Sequence, residues 1–301
     1  GKMTVTRKTL IAFADMALTL TTNTLPDCPD NHDNRTHNDG TQTRGTWCYY
    51  YEKFDTWFDT IASSALESVP FSVFIKGNGK LPFWSFSTVP GNFCPGAGPC
   101  LNWCYSFKAW RYPAAYFRQV QNLLLLRKRP DIVRQAFQNL PQNHAVRLYV
   151  DGDFDSLETM TFWFDALPTR QDLKVYGYSK SWQLFLDYQK TGKTFPTNYV
   201  LNLSSGSKYP EAMKKLLAKL PIPTGEFIAL PAASKMPEKR KQPTMWAAWA
   251  KALKDTAKRS GITKAFVCPG KCGDCLPAGA HACGSEKFRG NNPIPVLIGI
   301  H

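Results

Sequence analysis

Seven of the nine cysteines in this 301-residue chain fall in two groups, Cys94/Cys100/Cys104 and Cys268/Cys272/Cys275/Cys283, on stretches rich in glycine and proline. Thiolates gathered on tight loops are the ligands of iron–sulfur clusters and of zinc. The first group, Cys94-Pro-Gly-Ala-Gly-Pro-Cys100-Leu-Asn-Trp-Cys104, is expected to hold an iron–sulfur cluster. Three cysteine ligands leave one iron of a cubane (4Fe–4S) cluster open to a substrate or cofactor. Zinc with a fourth ligand from elsewhere is the competing reading. The second group places four cysteines within sixteen residues. It reads as a closed auxiliary site for a second iron–sulfur cluster or for zinc, with His281 able to replace one ligand. Cys28 and Cys48 lie outside both groups and read as free thiols.

The elements that must position these loops alternate along the chain. Phe71–Ile75 and Leu81–Phe86 read as strands leading into the first cysteine group, and Ala114–Arg127 and Ile132–Leu140 as helices behind it. Short apolar strands then recur at Val146–Val150, Leu173–Tyr178, Tyr199–Leu203, Phe227–Leu230 and Ala265–Val267. Helical patterns separate them at Ser156–Leu167, Ser181–Lys190, Pro210–Leu220 and Met245–Ser260. This alternation predicts an α/β fold with a mainly parallel sheet. No glycine-rich phosphate fingerprint opens a helix, so a (β/α) barrel, partial or closed, is favoured over a doubly wound dinucleotide-binding sheet. Working residues of a barrel sit where strands end, which here means Asp151, Asp153, Ser179, Lys180, Ser204, Ser205 and Lys208.

Ahead of this domain, expected over 70–267, residues 1–69 read as an extension. It has a polar run from Asp27 to Arg44 and an aromatic helix from Trp47 to Leu66, whose stripe serves either as core or for base stacking. Residues 268–301 form the cysteine-rich C-terminal metal segment. Thr9–Ala14 looks briefly like a signal-sequence core, but Asp15 interrupts it, and no stretch has the roughly 18 apolar residues of a membrane span. A secreted disulfide framework is disfavoured because such frameworks are dense in short chains. The expectation is a cytoplasmic protein with no membrane contact.

The formal charge of +14 points to a polyanionic partner, with a merely basic surface as the alternative. Nucleic acid is the expected partner. Candidate contacts are Arg111 and Lys180 near the barrel mouth and Lys235, Lys239, Arg240 and Lys241 on a proline-flanked loop. Trp110, Tyr112 and Trp182 could stack bases.

A three-cysteine loop after a strand, with Trp103 directly before the last cysteine and Tyr105 directly after it, resembles the cluster loop of radical S-adenosylmethionine enzymes. Their usual spacing is three residues and then two, whereas this chain has five and then three. On that resemblance Val150-Asp151-Gly152-Asp153-Phe154 stands where those enzymes contact the amino group of the cofactor. Asp153 would then supply the acid, with Asp151, Gly152 and Ser179 beside it. Asp-Gly-Asp is equally a turn that starts a helix. The chain is also similar to the gene product 88 family of phages and plasmids. That similarity lies in Gly77–Lys80, Cys94–Ala97 with Cys104-Tyr105, Val146–Phe154, Tyr176–Trp182 and the late cysteines. The resemblance implies a radical-SAM-like barrel in a mobile-element protein and supplies no reaction. The alternative is a non-catalytic DNA-binding replication, transfer or regulatory protein whose metal sites are structural or redox-sensing.

Overall fold

The computed structural model describes residues 5–19, 25–30, 34–77, 83–102, 104–270 and 294–301. The chain divides into two compact units. Unit 1 comprises residues 1–74, 87–93 and 104–140, and unit 2 comprises residues 75–86, 94–103 and 141–301. These limits cut across the boundaries expected from the sequence, because the helices preceding Pro141 pack with the N-terminal ones.

Unit 1 is built from helices α1 (Arg7–Thr19), α2 (Thr46–Phe58), α3 (Pro113–Lys128) and α4 (Pro130–Gln138), with a small antiparallel hairpin, β1 (Asn34–Thr36) and β2 (Gln42–Arg44). Pro113 and Pro130 each stand in the first turn, where the missing N–H has no helical partner to lose. Helix α3 is buried nearly all round, and its Tyr116 and Phe117 rings meet Phe13 of α1 and Trp47 of α2. The aromatic stripe expected at residues 47–66 is therefore core: Trp47, Phe54, Trp57, Phe58 and Ile61 are all buried. Gln121, fully buried, clamps the chain shortly before it leaves the unit at Phe74 by accepting from the Phe71 amide and donating to the Phe71 carbonyl.

Unit 2 is an eight-stranded sheet in the order β3-β4-β5-β6-β7-β8-β10-β9. Its strands are β3 (Ile75–Lys76), β4 (Trp84–Phe86), β5 (Ala145–Leu148), β6 (Lys174–Ser179), β7 (Tyr199–Ser204), β8 (Thr224–Pro231), β9 (Phe266–Val267) and β10 (Val296–Ile300). Among the described strands of this sheet only the β3–β4 pair is antiparallel. From β4 to β8 the strands follow chain order without reversal. The β5–β6, β6–β7 and β7–β8 connections carry helices α5 (Leu157–Ala166), α6 (Trp182–Lys190) and α7 (Ala212–Leu217), and α8 (Pro243–Arg259) follows β8. Ser156 caps α5 by accepting from the Thr159 amide. The α8 residues Ala250, Leu253 and Ala257 close over Val267 and Leu297.

The mixed α/β class and the mainly parallel sheet are as expected. The closed form of the barrel does not occur: among the described residues β3 pairs with β4 alone and β9 with β10 alone. Each of these edge strands is two residues long. Strand β10, unexpected from the sequence, inserts between β8 and β9.

Candidate functional site

The C-terminal ends of β5, β6 and β7 converge in unit 2, and each end contributes polar groups. After β5, Tyr149 takes a left-handed backbone (φ 59°) that few non-glycine residues adopt. Trp163 Nε1 donates to its hydroxyl at 3.1 Å, and its ring lies against Phe86 and Phe154. Gly152, also left-handed at φ 80°, completes the turn that returns the chain to Asp153.

The Asp153 side chain is buried and accepts three hydrogen bonds of 2.8 Å: from Ser179 Oγ and the Phe154 amide on Oδ1, and from the Lys180 amide on Oδ2. Burial pushes its carboxyl above the ordinary 3.8, against the lowering pull of those three donors and of the Lys180 charge. Asp153 thus ties the end of β5 to the end of β6. Ser181 Oγ adds a second tie by donating to the Phe154 carbonyl at 2.8 Å. Lys180 extends its ammonium to Ser204 Oγ at 2.9 Å, which links β6 to β7.

The loop carrying Cys94 and Cys100 is seated on this edge. The Gly98 and Cys100 amides both donate to the Gly206 carbonyl, at 3.2 and 3.3 Å, and the Lys208 amide donates to the Gly96 carbonyl at 2.9 Å. Ser207 Oγ donates to the Lys180 carbonyl at 3.2 Å. Gly96 must be glycine, because a Cβ there would overlap the Lys180 carbonyl; one at Gly98 would come within 2.7 Å of the Lys208 nitrogen. Cys94 is half-buried and Cys100 buried. Two thiols on a loop pinned by backbone bonds suit a thiophilic metal in donor chemistry.

Of the other sequence-derived candidates, Asp151 and Gly152 are half-buried beside Asp153. Cys104 and Arg111 belong to unit 1, where Arg111 is exposed and donates to the Lys108 carbonyl. Cys268 is half-buried directly after β9, its amide donating to the Leu297 carbonyl, while Cys272, Cys275 and Cys283 lie outside the described residues. Among the described residues no three His, Cys, Asp or Glu side chains gather as a metal ion would require. Lys235, Arg240 and Lys241 are exposed in unit 2; Lys239 is half-buried with its ammonium 4.6 Å from the Trp246 ring centre. Trp110 and Trp182 are buried, so neither offers a face to a base, whereas Tyr112 is 68% exposed. Trp182 is held inside by donating to the Ser179 carbonyl.

Two features escaped the sequence reading. On the sheet face opposite the helices, Arg147 stacks 4.5 Å from the Tyr178 ring centre, and the buried Asn202 donates to the Gly177 carbonyl. The alternation Val146-Arg147-Leu148 and Leu201-Asn202-Leu203 was the available signal. At the N-terminal edge of the sheet, a cavity of about 470 Å³ is lined by Lys254, Lys258 and Lys264 over Ile262, Phe266 and Ile294, with no acidic side chain among the described residues of its wall.

Among the described residues no helix is long and apolar enough to cross a membrane. No curated protein and no solved structure matches the chain. A family model described as gene product 88 matches residues 71–292, well over half of the 301 residues, and the chain belongs to that family.

Proposed function

We propose that this chain is an iron–sulfur protein of mobile elements that acts on, or while bound to, nucleic acid, with its reactive centre at the C-terminal edge of the unit 2 sheet. The seating of the Cys94–Cys100 loop carries the reading. Its backbone is fixed to the ends of β6 and β7 through Gly206, Lys208 and Lys180, the edge at which singly wound α/β proteins place their chemistry. Cys94, Cys100 and, further along the chain, Cys104 would hold the cluster. When bound, such a cluster supplies an open iron at which a substrate or S-adenosylmethionine is activated. The chain-ordered run β4 to β8 supports a partial barrel of the radical-SAM kind.

The protein's own groups then have defined tasks. Asp153, Ser179 and Ser181 hold the strand ends in register, so Asp153 acts chiefly by positioning. Lys180 and Lys208 make the edge electropositive and would bind an anionic group of the cofactor or substrate. Cys268, with Cys272, Cys275 and Cys283, would hold an auxiliary cluster or zinc. The lysine-lined cavity supports the nucleic-acid partner: three cations around an apolar floor can grip phosphates while Phe266 meets a base.

Anaerobic purification with iron, sulfide and zinc counts, followed by electron paramagnetic resonance of the reduced protein with and without S-adenosylmethionine, tests the centre. A cluster whose spectrum changes with the cofactor is expected; zinc alone at both groups would sink the reading. A second reading, a non-catalytic nucleic-acid-binding protein with structural metal sites, is favoured by one observation. The lysine cavity lies at the sheet edge opposite the cysteine loop. A cluster whose spectrum ignores the cofactor would support it.

A further inference from the structure

Within unit 1, Cys28 and Cys48 come from segments twenty residues apart, yet their sulfurs are 3.9 Å apart. Both thiols donate to one acceptor, the Asp30 carbonyl, at 3.4 and 3.6 Å. The approach is not a single chance contact. One turn further along α2, Tyr51 donates its hydroxyl to the Pro26 carbonyl at 2.7 Å, and Leu25 is buried. Residues 25–28 therefore run against α2 at two points, and Cys28 meets Cys48 at the second. A disulfide needs a sulfur separation of about 2.05 Å, so the two sulfurs must close by a little under 2 Å from 3.9 Å.

We propose that Cys28 and Cys48 are a dithiol pair that closes to a disulfide on exchange with a small-molecule disulfide of the glutathione class, locking residues 25–30 and the β1–β2 hairpin onto α2. In the exchange the thiolate of one cysteine attacks one sulfur of the reagent, forms a mixed disulfide and expels one thiolate. The thiolate of the other cysteine then attacks the protein sulfur of that mixed disulfide and expels the second. The two protons lost by the cysteines end on the two released thiols, so the protein pair is oxidised by two electrons and the reagent disulfide is reduced. Burial, with the neighbouring Cys48 adding to it, pushes the Cys28 thiol up to about 12.

Trypsin places the two cysteines on separate peptides, residues 9–35 and 45–53, each with no other cysteine. The full chain is incubated with oxidised glutathione or with dithiothreitol, alkylated under denaturing conditions, digested and mapped by mass spectrometry. The expected result is a cross-linked 9–35/45–53 species, two hydrogens lighter than the sum of its peptides, with glutathione and absent with dithiothreitol. In Cys28→Ser the exchange should stop at a glutathione adduct on Cys48. Full alkylation of both peptides after glutathione treatment of the wild-type chain would overturn the proposal. So would protection of both thiols by stoichiometric zinc that a chelator reverses, since that makes the pair a metal site. The mapping reads the wild-type chain, so it stands even if a serine variant fails to fold.

Discussion

The Lys180 amide donates to Asp153 Oδ2 at 2.8 Å, so a buried carboxylate at the end of β5 holds the first residue beyond β6 in place. Asp153→Asn keeps the shape but turns one acceptor into a donor. It is expected to lose about 1–3 kcal/mol, the cost of a buried group left unpaired. The pH dependence follows from the raised carboxyl. Between the ordinary value of 3.8 and the higher folded value, the folded chain holds the proton more tightly than the unfolded one. Stability from this group is therefore full below 3.8 and falls as pH rises through the folded value. Urea unfolding of both proteins across pH 3.5 to about 7 measures it: the wild-type advantage should shrink with rising pH. An advantage that grows would show a depressed carboxyl instead.

Gly96 is the residue on which the cysteine loop lies flat. A methyl at that position would enter the Lys180 carbonyl, so Gly96→Ala must lift the loop, at about 1–3 kcal/mol. On the proposed function it also lowers iron per chain. Gly192→Ala is the control: its added methyl meets nothing within 4 Å, and only its φ of 77° is strained, about 1–2 kcal/mol. Equal loss of stability with equal iron in the two variants would detach the loop from metal binding.

Gln121 shows what a buried amide does in unit 1. Leucine at that position fills similar volume but leaves the Phe71 N–H and C=O without their partner, at about 1–3 kcal/mol each. Gln121→Leu should lower the denaturation midpoint accordingly without changing the slope. A variant within about 0.5 kcal/mol of wild type would mean that water replaces the side chain.

How far the sequence could be read follows from what is local. Period-two and period-3.6 apolar patterns lie within single elements, so β5 to β9 and α3 to α8 were legible, with boundaries shifted by a few residues. The place of β10 was not: Val296–Ile300 is a short apolar run whose partners, Phe227–Pro231 and Phe266–Val267, are far away in sequence. Helix α1 was hidden because Leu10, Phe13, Ala14 and Ala17 resemble a leader core when Asp15 is taken as a break rather than as the half-exposed position of an amphipathic helix. At the candidate site, the places of Asp153, Ser179 and Lys180 at strand ends were legible, whereas the hydrogen bonds that Asp153 accepts from Ser179 and Lys180 were not, because they depend on how two strands pair. Trp110 and Trp182 fit stacking platforms by residue type, which does not tell a buried indole from an exposed one.

The three lysines of the N-terminal-edge cavity give the nucleic-acid reading its sharpest consequence. Lys254 and Lys258 stand one turn apart near the end of α8, and Lys264 follows on the loop into β9. The nearest carboxylate on the helix, Asp255, already holds Lys251 at 3.0 Å. If the cavity grips phosphates, each lysine removed eliminates released counterions, so the slope of log K against log salt should drop by about 0.7 per lysine on single strands and about 0.9 on duplex. Lys254→Ala/Lys258→Ala/Lys264→Ala, titrated by fluorescence anisotropy with a labelled oligonucleotide at several salt concentrations, should lose about two units of slope and weaken at least tenfold near 0.1 M salt. The parallel triple Lys239→Ala/Arg240→Ala/Lys241→Ala tests the proline-flanked loop. There Lys241 pairs with Glu238 at 3.0 Å and Lys239 lies against the Trp246 ring, so its slope change should be smaller. A larger loss from the loop than from the cavity would move the interface to the loop. An unchanged slope in both would leave the +14 charge as surface charge alone.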